Sequence, residues 1–188
     1  MSVMTGCVNF ILNNHDEIIA VGGEWDYFAL ANGAPELIGE NVIGRSLVEF
    51  ISGNVTRQFV LTILHTVRST AQAIELDYRC DSPNERRFMR MQVSLDQSGD
   101  IHFLNTTLRT ETRQHKVFIS RAAQRSKNTS TRCSMCNLIK SLNDWIEPDL
   151  PGTSIHPETS ELLVIYGICA SCSSKLQRTS PAQQLNAS

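Results

Sequence analysis

The sequence predicts an α+β fold: a five-stranded antiparallel sheet with flanking helices, followed by a small C-terminal module. Three observations carry this expectation. Strand-like runs stand at both ends of the first 109 residues, the later ones with clear period-two alternation. One long stretch of helical periodicity lies between them. Two Cys-x-x-Cys pairs, Cys133/Cys136 and Cys169/Cys172, come together behind a polar segment.

Residues 8–12 and 17–21 are apolar runs on either side of Asn13-Asn14-His15-Asp16, which has turn composition. They read as two strands, the second running out to Gly22-Gly23. Trp25, Phe28 and Leu30 line one side of a short helix over 25–32, which Gly33 and Pro35 end. Residues 36–52 are loop-rich. Asn54 is the expected cap of a helix reaching Thr70, with Phe59, Ile63 and Val67 at i+4 steps and Val60 and Leu64 beside them. Ile74, Leu76, Tyr78 and Cys80 then alternate with Glu75, Asp77 and Arg79. Asp81-Ser82-Pro83-Asn84 turns the chain. Met89, Met91, Val93 and Leu95 alternate with Arg90, Gln92 and Ser94. A last strand over 101–108 follows the turn at 97–100 and completes a three-strand meander.

The expected organisation is a first domain over 1–109, a basic and polar linker over 110–131, a cysteine module over 132–178 and a disordered polar tail over 179–188. Net charge is −2, so no global field favours nucleic acid or a membrane surface. Charge is uneven, however. Residues 1–60 hold Asp16, Glu17, Glu24, Asp26, Glu36, Glu40 and Glu49 against Arg45 and Arg57, whereas 109–127 is basic. No apolar run has the roughly 20 residues of a membrane helix. The N-terminus lacks a basic segment followed by an apolar one, and six cysteines without an export signal favour reduced thiols, so a cytoplasmic location is expected.

The order of elements in 1–108, with Gly44-Arg45 after the short helices and the terminal meander, resembles a PAS domain. Tyr78-Arg79-Cys80-Asp81-Ser82-Pro83 and Arg86-Arg87-Phe88-Met89-Arg90-Met91 are similar to strings in bacterial stand-alone PAS proteins. Cys133-Ser134-Met135-Cys136-Asn137, Trp145 and Tyr166-Gly167-Ile168-Cys169-Ala170-Ser171-Cys172 resemble a module found behind sensory PAS domains. The resemblance implies a signalling role with a protein partner, a homodimer, and a pocket open to a small ligand.

The four cysteines carry the sharpest chemistry. Each Cys-x-x-Cys turn aims two sulfurs at one centre, and two turns supply the four thiolates of a closed zinc site. A module this short buries little core, so a metal would supply much of its folding free energy. The metal ligands are therefore expected to be Cys133, Cys136, Cys169 and Cys172, with redox-active dithiols as the rival reading. Iron is the alternative metal, since tetrahedral sulfur serves both. The Pro and Gly usual in rubredoxin knuckles are absent here, where Ser134, Asn137, Ala170 and Ser173 stand. His156 lies between the pairs, but four thiolates already complete the set.

Other candidates weigh less. Cys80 reads as a small buried hydrophobe, and Cys7 has no assigned role. Haem through His65 is disfavoured, because His65 falls off the stripe set by Phe59, Ile63 and Val67. Light-sensing flavin chemistry lacks its cysteine at Gly44-Arg45-Ser46-Leu47. Arg86, Arg87 and Arg90 could meet an anion or nucleic acid, but pairing with Asp77, Asp81 and Glu85 is the simpler expectation, without aromatic interleaving or a recognition helix. No phosphate loop, nucleophile elbow or carboxylate pair marks an enzyme. The expected function is a non-enzymatic sensory adaptor. Its rivals are an iron electron carrier and a DNA-binding regulator.

Overall fold

The computed structural model describes residues 6–149 and 161–179, the last four as backbone only. Its first sheet has five antiparallel strands: β1 (Cys7–Leu12), β2 (Ile18–Gly23), β3 (Ile74–Arg79), β4 (Glu85–Leu95) and β5 (Ile101–Thr112). They lie in the order β2-β1-β5-β4-β3, so the first hairpin docks beside the last strand and β3 forms an edge. Between β2 and β3 the chain makes α1 (Trp25–Ala31), α2 (Gly39–Val42) and α3 (Asn54–Thr70), with short 3-10 turns at Pro35–Leu37 and Leu47–Phe50. The α+β class and the five-stranded antiparallel sheet are as expected.

The apolar phases of these elements meet in one core. Ile63, Leu64 and Val67 of α3 are buried against Leu12, Ile18, Ile74, Leu76, Val93, Ile101 and Phe103 of the sheet. Phe10 stacks on Phe103 and meets Trp25 edge-on, while Trp25 Nε1 donates to the Leu37 carbonyl at 2.7 Å. Asn54 is not the cap of α3. It is the first helical residue, and Gly53 holds the cap position with φ +86°, a conformation a side chain disfavours.

A second sheet follows: β6 (Ile119–Arg121), β7 (Ser130–Cys133), β8 (Ile139–Ser141), β9 (Asp144–Ile146) and β10 (Leu162–Gly167), ordered β6-β10-β7-β8-β9. β10 pairs in parallel with both β6 and β7. After it comes α4 (Ala170–Thr179). The stretch 110–131, read as a linker, thus contributes the end of β5, all of β6 and the start of β7. Its apolar knot explains this: Val117 is buried with its N–H on the Pro83 carbonyl, and Ile119 pairs with Leu162. His156, residues 150–160 and the tail 180–188 lie outside the described residues. Among the described residues, no helix is long and apolar enough to cross a membrane.

Candidate metal centre

Parallel pairing brings the two Cys-x-x-Cys turns together. β7 and β10 run side by side with Gly167 opposite Cys133, so both strands release their turns at the same end. The Ser134 N–H then donates to the Gly167 carbonyl at 2.8 Å, and the Cys169 N–H points to Cys133 Sγ at 3.4 Å. The first turn closes through Asn137, whose N–H reaches the Cys133 carbonyl at 3.0 Å with φ +60°. Asn is one of the few residues that tolerates this region. The second turn becomes the start of α4, where the Cys172 N–H meets Cys169 Sγ at 3.4 Å. Unsatisfied amides at a helix start suit negative sulfur.

All four sulfurs lie within 4.8 Å of one another, and Cys136 and Cys169 are 3.8 Å apart. A tetrahedron with metal–sulfur bonds of about 2.3 Å has edges of about 3.8 Å, so the cluster can hold a metal ion with little contraction. Cys133 and Cys169 are 0 % and 3 % exposed, and Phe59, Tyr78 and Trp145 pack around them. Cys136 and Cys172 are partly exposed.

The electrostatics match this use. Hydrogen bonding from Cys136 draws the Cys133 thiol well below its ordinary range, and backbone N–H groups add to the effect. Cys136 is pushed up by that same bond and by burial. Cys172 is pushed up by burial first, then by its sulfur neighbours. Four thiolates this close repel one another, and a central cation removes the conflict.

A buried ionic clasp ties this cluster to the first sheet. Arg113 is 1 % exposed and donates to Asp81 at 2.6 Å and to Asp149 at 2.7 Å, which are themselves 1 % and 0 % exposed. Arg79 binds Asp81 and Glu147, and Arg86 binds Asp149 at 2.7 Å. Burial opposes the charge on Arg79, but the carboxylates of Glu147 and Asp81 outweigh it and hold the guanidinium more firmly protonated. Sequence reading singled out Arg86 and Asp81 but missed Arg79, Arg113, Glu147 and Asp149. Apart from Arg79 and Asp81, the paired charges stand 32 to 68 residues apart, beyond the reach of any spacing rule.

The remaining candidates are dispersed. Arg90 pairs with Asp77 at 2.7 Å as expected, and Arg87 lies over the Phe28 ring and near Glu85. Arg86 instead turns mainly to Glu147 and Asp149. His65 is exposed and lines a surface groove with Asp16, Leu64 and Arg68. Cys80 follows β3, and burial raises its thiol. Cys7 opens β1. A cavity of about 540 Å³ lies beside β3, walled by Glu75, Asp77, Met135, Cys136, Cys172 and Lys175 among others; no α3 residue lines it.

Fold and site together define an α+β protein with a five-stranded antiparallel sheet and a four-cysteine cluster able to hold a metal ion. No family model matches the chain, and no curated protein matches it in sequence.

Proposed function

We propose that this chain is a cytoplasmic, non-enzymatic sensory adaptor. In this reading a PAS-like domain over the first sheet perceives a ligand or mediates dimerisation. The four-cysteine module behind it, holding zinc through Cys133, Cys136, Cys169 and Cys172, presents a docking surface to a protein partner. The carrying observation is the junction: the first cysteine turn hydrogen-bonds β3 through Arg79, and the ionic clasp locks the two sheets together. Such a junction passes strain in the sheet directly to the module. The strand count, the terminal meander and the helices gathered between β2 and β3 support the PAS-like assignment.

Zinc is preferred over iron on the residues flanking the cysteines. Elemental analysis and an absorption spectrum of protein purified without added metal test the choice. One zinc per chain and no visible band support it; visible charge-transfer bands would transfer the site to iron, and absence of any metal would remove the module's proposed role. The sensory half is tested by sedimentation and hydrogen exchange with and without metal. An unchanged first sheet and an unchanged mass in both states would sink the coupling.

A further inference from the structure

The four sulfurs are not equivalent. Cys133 and Cys169 are sealed beneath Phe59, Tyr78 and Trp145. Cys136 and Cys172 are partly exposed, and both line the cavity beside β3, whereas Cys133 and Cys169 do not. The cavity, at about 540 Å³, is far larger than a small peroxide. A reagent from solvent therefore meets one face of the cluster, and that face presents one cysteine from each turn.

We propose that Cys136 and Cys172 are the pair through which the cluster reacts with hydroperoxides, a property that rests on the metal-holding reading above. One of the two thiolates attacks the peroxide oxygen. The O–O bond breaks, the sulfur becomes a sulfenic acid, and hydroxide (or alkoxide) leaves. The other thiolate attacks the sulfenic sulfur, forms the S–S bond and expels a second hydroxide. Two electrons pass from the sulfur pair to the peroxide. A metal held by the four cysteines would be left with only Cys133 and Cys169 and would leave as the divalent ion. Both sulfurs lie within the cluster's 4.8 Å span, so a modest closure brings them to bonding distance. The consequence reaches β3, because Cys136 sits between Met135 and Asn137, the two residues that grip Arg79. Releasing the metal frees this turn to let go of the sheet edge.

The test uses the unaltered full chain loaded with one equivalent of zinc. It is treated with hydrogen peroxide below one equivalent, trapped with iodoacetamide under denaturing conditions, and mapped by mass spectrometry while a chromophoric chelator counts released zinc. Expected is one Cys136–Cys172 disulfide per zinc released, with Cys133 and Cys169 recovered alkylated in at least about tenfold excess over their oxidised forms. A disulfide to Cys133 or Cys169, even oxidation over the four, or zinc release without a Cys136–Cys172 bond would overturn it. Failure to bind zinc at one per chain would instead remove the metal reading and this inference with it. Stoichiometric binding with the wrong disulfide removes the inference alone.

Discussion

The backbone N–H of Arg79 donates to the Met135 carbonyl at 2.7 Å, and the Arg79 carbonyl accepts from Asn137 Nδ2 at 3.0 Å. In an antiparallel strand the two polar groups of one residue face the same neighbour. Arg79 thus gives its outward rung to the first cysteine turn, β3 being the edge strand of the sheet among the described residues. Its side chain meanwhile reaches Asp81 and Glu147. One residue links sheet, cluster and clasp.

Removing the metal should therefore be felt at β3. Hydrogen exchange with and without a chelator is expected to show faster exchange at Arg79 and Asn137, with Val93 and Phe103 unchanged. Cys169→Ser should reproduce the effect and abolish stoichiometric metal binding. Equal protection at Arg79 in both states would break the proposed coupling.

Asn137 does two jobs that substitutions can separate. Its φ of +60° suits Asn or Gly, and its buried side chain satisfies the Arg79 carbonyl. Asn137→Gly keeps the backbone and loses the hydrogen bond, costing about 1–2 kcal/mol. Asn137→Ala loses both and should cost about 1 kcal/mol more. Chemical denaturation of the metal-loaded chain measures the order; an alanine variant as stable as the glycine one would contradict it.

Arg113 holds two buried carboxylates. Arg113→Met fills similar space but leaves Asp81 and Asp149 each short of a partner, and should cost about 3 kcal/mol. A loss below about 1 kcal/mol, the range of exposed pairs, would show the clasp to be incidental.

Asp77 provides the pH test. The hydrogen bond from Arg90 holds its carboxyl below the ordinary value of 3.8. A depressed carboxylate stabilises the fold above its unfolded pKa, and that contribution is lost as pH falls through the folded value. The pair is well exposed, so the effect stays under about 1 kcal/mol. Asp77→Asn should lower stability at pH 6, and the gap from wild type should close as pH falls below the ordinary 3.8. A constant gap across that range would assign the loss to something other than charge.

Much of the first sheet was legible because its signals are local. Ile74, Leu76 and Tyr78 alternate with charges, Phe59, Ile63 and Val67 repeat at helical spacing, and turn residues separate the strands. The cysteines were legible for a similar reason, since Cys-x-x-Cys geometry is set within four residues. Segments with weaker local signal are not legible in this way: residues 119–121 read as linker, because a strand of three residues has too short a pattern to recognise before its partner β10 is in place.

The sequence by itself determined which four thiols form the cluster and which faces of the first sheet are apolar, because those properties depend on spacing along the chain. The tertiary structure decided that β7 and β10 run parallel with Gly167 opposite Cys133, that Arg79, Arg113, Glu147 and Asp149 meet in one buried clasp, and that Cys136 and Cys172 face a cavity while their partners do not. These depend on contacts between residues tens of positions apart. Burial sets their strength, and no local pattern records it.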